Sequence, residues 1–444
     1  MLHPACDALL ERSQRILAGG PATLSKLASR YPWPIAPAFL SHGDGAMVTC
    51  PDGLSYVDTV AALGPVILGH QDPSVTLAVM EQSEKLMSST LSTALECEVA
   101  EMLCAMVPNA EMVRFASNGK DVTEAAIKVA RYTTGRRHVI YCGYSGGFSD
   151  YLITTDKCGG ILANITMYNH QVPWRDFEAL DRVRMMAEDD LAAIILEVPP
   201  EYLDVTKEDT TRTIRRYADA AHAHGGVFIL DEIVTGFRQS LGGAQEYYGV
   251  DADILTFSKA MGNGCPIAAI AGHRDLMQAF EGGKIFLSTT FGGSPIGLAA
   301  AKATIQELKS LRGQCRLREH GNILCERLSD NLQKWGMPAK LRGNFCRMVI
   351  DWYGVDGIAT TAQIRTLWLQ ETVKHGVLFG VPIFPMCSWD TDIVDKIMSA
   401  SNYAFETLSH VLSGSKSIQD ILECKVIEDV FSSRYEHKKQ SNTF

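Results

Sequence analysis

Short β-branched apolar runs alternate with helical stretches through the middle of the chain, the pattern of a mostly parallel sheet covered by helices. The runs that read as strands are 112–116, 138–142, 191–198, 227–231, 254–258 and 268–272. Between them, 121–133 sets Val122, Ala125, Ala126, Val129 and Ala130 on one helical stripe. The segment 211–224 has a polar entry and stops at Gly225-Gly226, a helix followed by its usual terminator. These elements predict an α/β fold.

Both ends of the chain depart from that pattern. Gly19-Gly20-Pro21 and the prolines at 32, 34 and 37 predict an irregular N-terminal arm, because each proline disfavours helix at the residue before it. After residue 300 the pattern becomes long helix at 299–310 and 315–335, strand near 347–352, and helix again at 364–374 and 391–412. That is a separate α+β lobe. The expected division is therefore 1–60 as the arm and part of a small domain, 61–305 as a large domain, and 306–444 as the C-terminal small domain with a polar end from Ser432.

Composition narrows the function. Of 444 residues, 46% are hydrophobic and 21% charged, which excludes a disordered scaffold. The net charge of −10 lacks the basic excess that binding a phosphate backbone demands, so no nucleic-acid partner is expected. No apolar run approaches the ~20 residues that span a bilayer, and the N-terminus has no basic segment followed by an apolar one. A cytoplasmic protein without membrane contact is the expectation. Twelve cysteines occur without a CxxC pair, so they read as reduced, mostly buried thiols, and no metal site is expected.

Three segments carry candidate chemistry. Val227–Asp231 is a buried strand that delivers the acids Asp231 and Glu232 at its end, and 254–258 is another strand, followed by Lys259 and the glycine-rich turn Gly262-Asn263-Gly264. In open α/β sheets ligands bind outside the carboxyl ends of strands, so Asp231 and Lys259 can face one pocket. Lysine forms Schiff bases with carbonyl cofactors and a carboxylate can keep a pyridine nitrogen protonated, a pair that points to pyridoxal phosphate. The third segment, Asn118-Gly119-Lys120 between a strand and a helix, offers a helix N-terminus to a phosphate. Tyr144, after the strand 138–142, can stack on a flat ring.

With those residues in place, the sequence resembles the class III aminotransferases of pyridoxal-phosphate fold type I, in the branch that contains glutamate-1-semialdehyde aminomutase. The resemblance covers nearly the whole chain. It rests on Leu63-Gly-Pro-Val-Ile-Leu-Gly-His70 with Asp72-Pro73, on Asp231-Glu-Ile-Val-Thr-Gly-Phe-Arg238, on Ser258-Lys259-Ala-Met-Gly-Asn-Gly264, and on Thr290-Phe-Gly-Gly-Ser-Pro295. It implies that Lys259 is the Schiff-base lysine and proton shuttle, that Asp231 pairs with the pyridinium nitrogen, and that Ile233 and Tyr144 lie against the two ring faces. Asn118, Gly119 and Lys120 would hold the phosphate, and Glu197 would lie near the cofactor hydroxyl. Thr290 would reach the phosphate of the neighbouring subunit, which implies a homodimer. Arg238 is either an ion-pair residue or a clamp for a substrate carboxylate.

The chain departs from the branch at several positions. Lys120 stands where the relatives usually have Ser or Thr, Ser145 follows Tyr144 where His is common, and Glu197-Val198 replaces Glu-Pro. Aminomutases of the branch receive the substrate carboxylate on an arginine in Ser-Pro-Val-Arg, where this chain reads Thr23-Leu-Ser-Lys26-Leu-Ala-Ser-Arg30. Lys26 or Arg30 could substitute, although a lysine lacks the bidentate fork of arginine. Phe379–Ser388 also lacks the acid expected of an aminomutase, and Trp33, Phe384 and Trp389 are candidates for an apolar pocket entrance. The reading is an aminotransferase that passes an amino group from a small-molecule donor to an aldehyde or ketone by a ping-pong cycle. The alternative is an intramolecular 2,1-aminomutase.

Overall fold

The computed structural model describes residues 3–144, 167–199, 206–310 and 313–428. In chain order the strands and longer helices are α1 (Pro4–Ile16), β1 (His42–Asp44), β2 (Met47–Thr49), β3 (Ser55–Asp58), α2 (Pro73–Lys85) and α3 (Ala94–Met106). Next come β4 (Met112–Ala116), α4 (Gly119–Thr134), β5 (His138–Cys142), β6 (Asn169–Gln171), α5 (Phe177–Ala187), β7 (Leu191–Glu197) and α6 (Lys207–His222). They are followed by β8 (Val227–Asp231), β9 (Ile254–Phe257), β10 (Ala268–Gly272), α7 (Pro295–Lys309), α8 (Gly313–Lys334), β11 (Ala339–Asn344), β12 (Arg347–Trp352), α9 (Thr361–Lys374), β13 (Val377–Leu378) and α10 (Thr391–Leu412). Among the described residues, 3–73 and 310–428 form one compact unit and 74–199 and 206–309 form another.

The second unit is built on a seven-stranded sheet in the order β4-β10-β9-β8-β7-β5-β6. From β9 to β6 neighbouring strands run parallel, while β10 runs antiparallel to both β9 and β4. Strands β7, β8, β9 and β10 are buried at every position, as strands covered on both faces must be. The α4 stripe expected from sequence packs Val122, Ala125, Ala126, Val129 and Ala130 against Val139, Ala193, Ile195, Ile229, Ile254 and Ile270. Its small residues let the helix axis lie close to the sheet. Helix α6 packs on β7 and β8 and buries Ile214, Tyr217 and Ala221.

Helix starts fall earlier than the apolar pattern alone places them, for local reasons. Helix α6 begins at Lys207, not 211, because the Thr206 hydroxyl accepts the Asp209 N–H at 3.2 Å. Helix α7 begins at Pro295, not 299, since proline has no N–H to lose in the first turn. Helices α1, α2, α3 and α5 lie where the sequence pattern named no element.

The first unit holds the four-stranded sheet β1-β2-β3-β13, the hairpin β11–β12 and helices α8, α9 and α10. Asp58, at the end of β3, accepts the Val60 and Ala61 N–H groups and meets His70 at 2.8 Å. These bonds hold Ala61, Ala62 and Leu63 in the left-handed region, at φ +47°, +53° and +71°. Phe384 and Trp389, candidates for a pocket entrance, are only 2% and 1% exposed and belong to the packed interior of this unit. The Phe384 ring lies 3.2 Å from where a Cβ on Gly64 would be, so it fills space that the glycine leaves. Trp33, by contrast, is 38% exposed.

Helix α8 meets the hairpin at Gly321, where an added Cβ would lie 2.0 Å from the Phe345 carbonyl oxygen. Helix propensity alone would make Gly321→Ala stabilising by about 1 kcal/mol. A clash with backbone costs more, ~1–3 kcal/mol for ordinary overpacking and above that for rigid atoms. Gly321→Ala is therefore expected to lower the urea midpoint of unfolding; a raised midpoint would contradict the packing described.

Candidate active site

Sheet topology places the candidate residues along one edge. In the parallel ladders Cys142 stands opposite Leu196, Glu197 opposite Asp231, and Asp231 opposite Thr256. Because β10 is reversed, Ala268 pairs with Ala116 and Ala269 with Phe257, so β4 and β9 end on this same edge. The residues just past the strands, Asn118 to Lys120, Gly143 and Tyr144, Ile233 and Lys259, thus lie on one rim.

The Asp231 side chain, 2% exposed, is set by two donors. The Ile233 N–H and the Thr256 hydroxyl both donate to its Oδ1, at 3.1 and 3.3 Å. Glu232, the other half of the acidic pair, turns away. Its carboxylate accepts the Ala244 and Gln245 N–H groups at 2.9 and 2.8 Å and the Thr235 hydroxyl. Burial raises the Glu232 carboxyl above the ordinary range even against these three donors. Glu232 thereby anchors the short helix Gly243–Tyr248, and the two neighbouring acids have separate tasks.

Lys259 is half-buried and held at φ +35°, a conformation that costs a lysine of the order of 1–3 kcal/mol. The tight turn Lys259–Gly262 that imposes it is pinned at both ends. The Ser258 hydroxyl donates to the Ile267 carbonyl at 2.8 Å, and a Cβ on Gly262 would come within 2.8 Å of the Ile267 side chain.

At the head of α4 the Asn118 N–H and side-chain amide donate to Asp121, at 3.1 and 3.2 Å, which fixes the turn. A Cβ on Gly119 would lie 3.0 Å from Ile233 Cδ1, so a bare backbone is what lets the helix start approach Ile233. Lys120 forms an ion pair with Glu124 at 3.5 Å. Burial pushes the Glu124 carboxyl up, but Lys128 and Lys120 together hold it below the ordinary carboxylate range. On the far side of the rim, Glu197 Oε2 accepts the Tyr144 N–H at 2.9 Å. A Cβ on Gly143, at φ +114°, would sit 2.5 Å from the Glu197 Cβ. Thr290 is exposed on the turn before α7, Arg238 is 1% exposed, and Ser145 lies outside the described residues. The Arg30 guanidinium donates to the Glu428 carbonyl at 2.7 Å, while Lys26 is exposed.

This donor set fits pyridoxal phosphate. It combines a buried, oriented carboxylate, a lysine amine, an apolar Ile233 side chain and a helix N-terminus opened by glycine, all on one rim. The model of the aminotransferase class-III family matches residues 32–382. The chain belongs to the class-III aminotransferases. It is 34% identical to a glutamate-1-semialdehyde 2,1-aminomutase of Methanothrix thermoacetophila over 76% of this chain and 79% of that one. It is also 34% identical to glutamate-1-semialdehyde 2,1-aminomutase 2 of Brevibacillus brevis, over 69% of this chain and 74% of the relative. An ω-transaminase from Sphaerobacter thermophilus superposes with a TM-score of 0.81 at 23% identity, covering 90% of this chain and 98% of its own, a likeness of fold. The fold is pyridoxal-phosphate type I, and the protein is a pyridoxal-phosphate-dependent enzyme of this class.

Thr256 was missed by the sequence reading. Its signal was available, since Thr256 is the one polar side chain in the buried run Ile254–Phe257, and a hydroxyl there needs a partner. In this class-III aminotransferase Thr256→Val removes a hydrogen bond to a charged group. The change is expected to weaken cofactor binding about tenfold, in line with ~1.5 kcal/mol for such a bond, at little cost in melting temperature. Titration of the cofactor-free protein, followed by visible absorbance, measures it; unchanged affinity would show that Thr256 does not orient Asp231.

Proposed function

We propose that the protein is a ping-pong aminotransferase in which a donor amine gives up its amino group to the cofactor and an acceptor aldehyde or ketone then receives it. The observation that carries this reading is the pairing of the oriented Asp231 carboxylate with Lys259 on one rim of the sheet. Pyridoxal phosphate, when bound, supplies the carbonyl that takes up the amine and the ring that stores the electrons released at Cα.

The protein supplies the rest. Lys259 Nζ would hold the cofactor and would carry the proton from the donor's Cα to the cofactor's aldehyde carbon, the reverse transfer serving the acceptor. Asp231 would pair with the pyridine nitrogen and keep it protonated, and the hydrogen bonds from the Ile233 N–H and the Thr256 hydroxyl hold its carboxylate in place. Asn118, Gly119 and Lys120 would hold the phosphate on the N-terminus of α4, with Ile233 and Tyr144 against the ring faces. Glu197 would act near the cofactor hydroxyl, through the same carboxylate that holds the Tyr144 backbone.

The choice of transfer over internal rearrangement rests on the N-terminal segment. Arg30 directs one of its N–H groups to the Glu428 carbonyl and Lys26 offers only a point charge, which weighs against a dedicated fork for a substrate carboxylate in this segment. The curated relatives support the aminomutase as the second reading. Visible absorbance of the purified enzyme separates the two. Glutamate or alanine should discharge the cofactor band of the wild type and a keto acid should restore it. Lys259→Ala should lose turnover while remaining folded. A band that no donor discharges would favour the aminomutase; no band at all would remove Lys259 from its role.

We further propose a homodimer in which Thr290 reaches the partner's cofactor phosphate. The turn that carries Thr290 also exposes Phe286 and Phe291, 77% and 65% accessible, and its Gly293 approaches Glu96 in the first turn of α3. Just before α3, Met87 and Leu91 are 66% and 81% accessible. Large exposed apolar side chains on both of these segments support a covering partner here. The double variant Leu91→Glu/Phe286→Glu is expected to sediment as a monomer with greatly reduced activity, whereas an unchanged dimer would place the interface elsewhere.

A further inference from the structure

Far along the chain from the cofactor rim, four metal-ligating side chains converge inside the first unit. His3, Cys6, Cys50 and Asp52 place one ligand atom each within 4.8 Å of all the others. His3, Cys6 and Cys50 are 2%, 0% and 1% exposed, and Asp52 is partly buried. We infer that this cluster is a structural zinc site that ties helix α1 to the turn between β2 and β3.

Three observations carry the assignment. The first is ligand type: two thiols, an imidazole and a carboxylate are a zinc set, and four protein ligands close the tetrahedron, so the site is structural with no position left for substrate. The second is spacing. Zinc bonds of ~2.3 Å to sulfur and ~2.0–2.1 Å to nitrogen in a tetrahedron put neighbouring ligand atoms roughly 3.5–3.8 Å apart. Cys50 Sγ and His3 Nδ1 are already 3.9 Å apart, and with all four ligand atoms within 4.8 Å of one another the widest pair needs to close by no more than roughly 1.3 Å.

The third is the orientation of the ligands by their surroundings. His3 Nε2 lies 3.0 Å from the Ile35 carbonyl oxygen, which can only accept, so Nε2 carries the ring proton. In the neutral ring this leaves the Nδ1 lone pair facing Cys50, the arrangement in which a zinc-bound histidine is ordinarily held. The Asp52 carboxylate accepts the Ala5 N–H at 2.7 Å and the Cys6 N–H at 3.1 Å, which fixes it at the head of α1. With about four acceptor positions on a carboxylate, two donors leave room for a metal bond. On binding, each thiol releases its proton to solvent and the two thiolates and Asp52 surround the dication with the neutral imidazole. The bland alternative is that Asp52 only caps α1 and that the thiols only fill the apolar cluster around Val48 and Tyr56.

The test uses the full chain with its cofactor, supplied with zinc and then dialysed against buffer without chelator. Metal analysis is expected to give about one zinc per chain, falling at least about tenfold in Cys6→Ser/Cys50→Ser. Cobalt in place of zinc should give the thiolate charge-transfer bands and intense visible bands of a tetrahedral site. Should the double variant fail to fold, the zinc content and cobalt spectrum of the wild type decide alone. A metal-free wild type with free thiols, a Cys6–Cys50 disulfide found by mass spectrometry, or zinc retained in full by the double variant would each overturn the assignment.

Discussion

A carboxylate cannot be left buried without partners, and Asp231 is the residue around which this requirement is organised. Its acceptor atom Oδ1 is served from the next strand by Thr256 and from its own chain by the Ile233 N–H. The neighbouring Glu232 obeys the same rule in a different direction by taking three donors from the segment that follows β8. Two adjacent acids therefore fix both the rim of the sheet and the chain that leaves it.

The reversed strand β10 explains how distant pieces of sequence reach that rim. Between two strands that point the same way it acts as a spacer, moving the start of α4 away from Lys259 along the edge. Helix α4 then crosses back over the sheet on its stripe of alanines and valines, and Gly119 comes to rest against Ile233. The strain held at Lys259 belongs to the same design. A pinned turn keeps the amine in place at a cost that the surrounding packing must offset.

Much of this was legible in the sequence because buried parallel strands are short, apolar and β-branched, and the six predicted in the centre coincide with β4, β5, β7, β8, β9 and β10 to within a residue. The stripe of α4 was equally plain. Helix starts were less so, because Thr206 and Pro295 act through backbone donors that periodicity does not register. The direction of β10 has no local signature. Phe384 and Trp389 carried an apolar signal that serves an interior as well as a pocket, and only their burial separates the two. The cluster at His3, Cys6, Cys50 and Asp52 escaped because its ligands come in two groups more than forty residues apart, whereas spacing rules look for neighbours.

Gly143, just past β5, and Glu197, at the end of the neighbouring β7, share one volume, since the glutamate stem passes where a Cβ on the glycine would stand and its carboxylate returns to hold the next peptide. For a lineage of such proteins this makes the two positions one heritable unit. A side chain at 143 needs both a smaller residue at 197 and a backbone that leaves φ +114°, and the loss of Glu197 releases the Tyr144 N–H before the gain arrives. The route between the two states passes through a form in which the Tyr144 N–H has lost its Glu197 acceptor, so the geometry of the path opposes change at this corner as much as the chemistry at its end does.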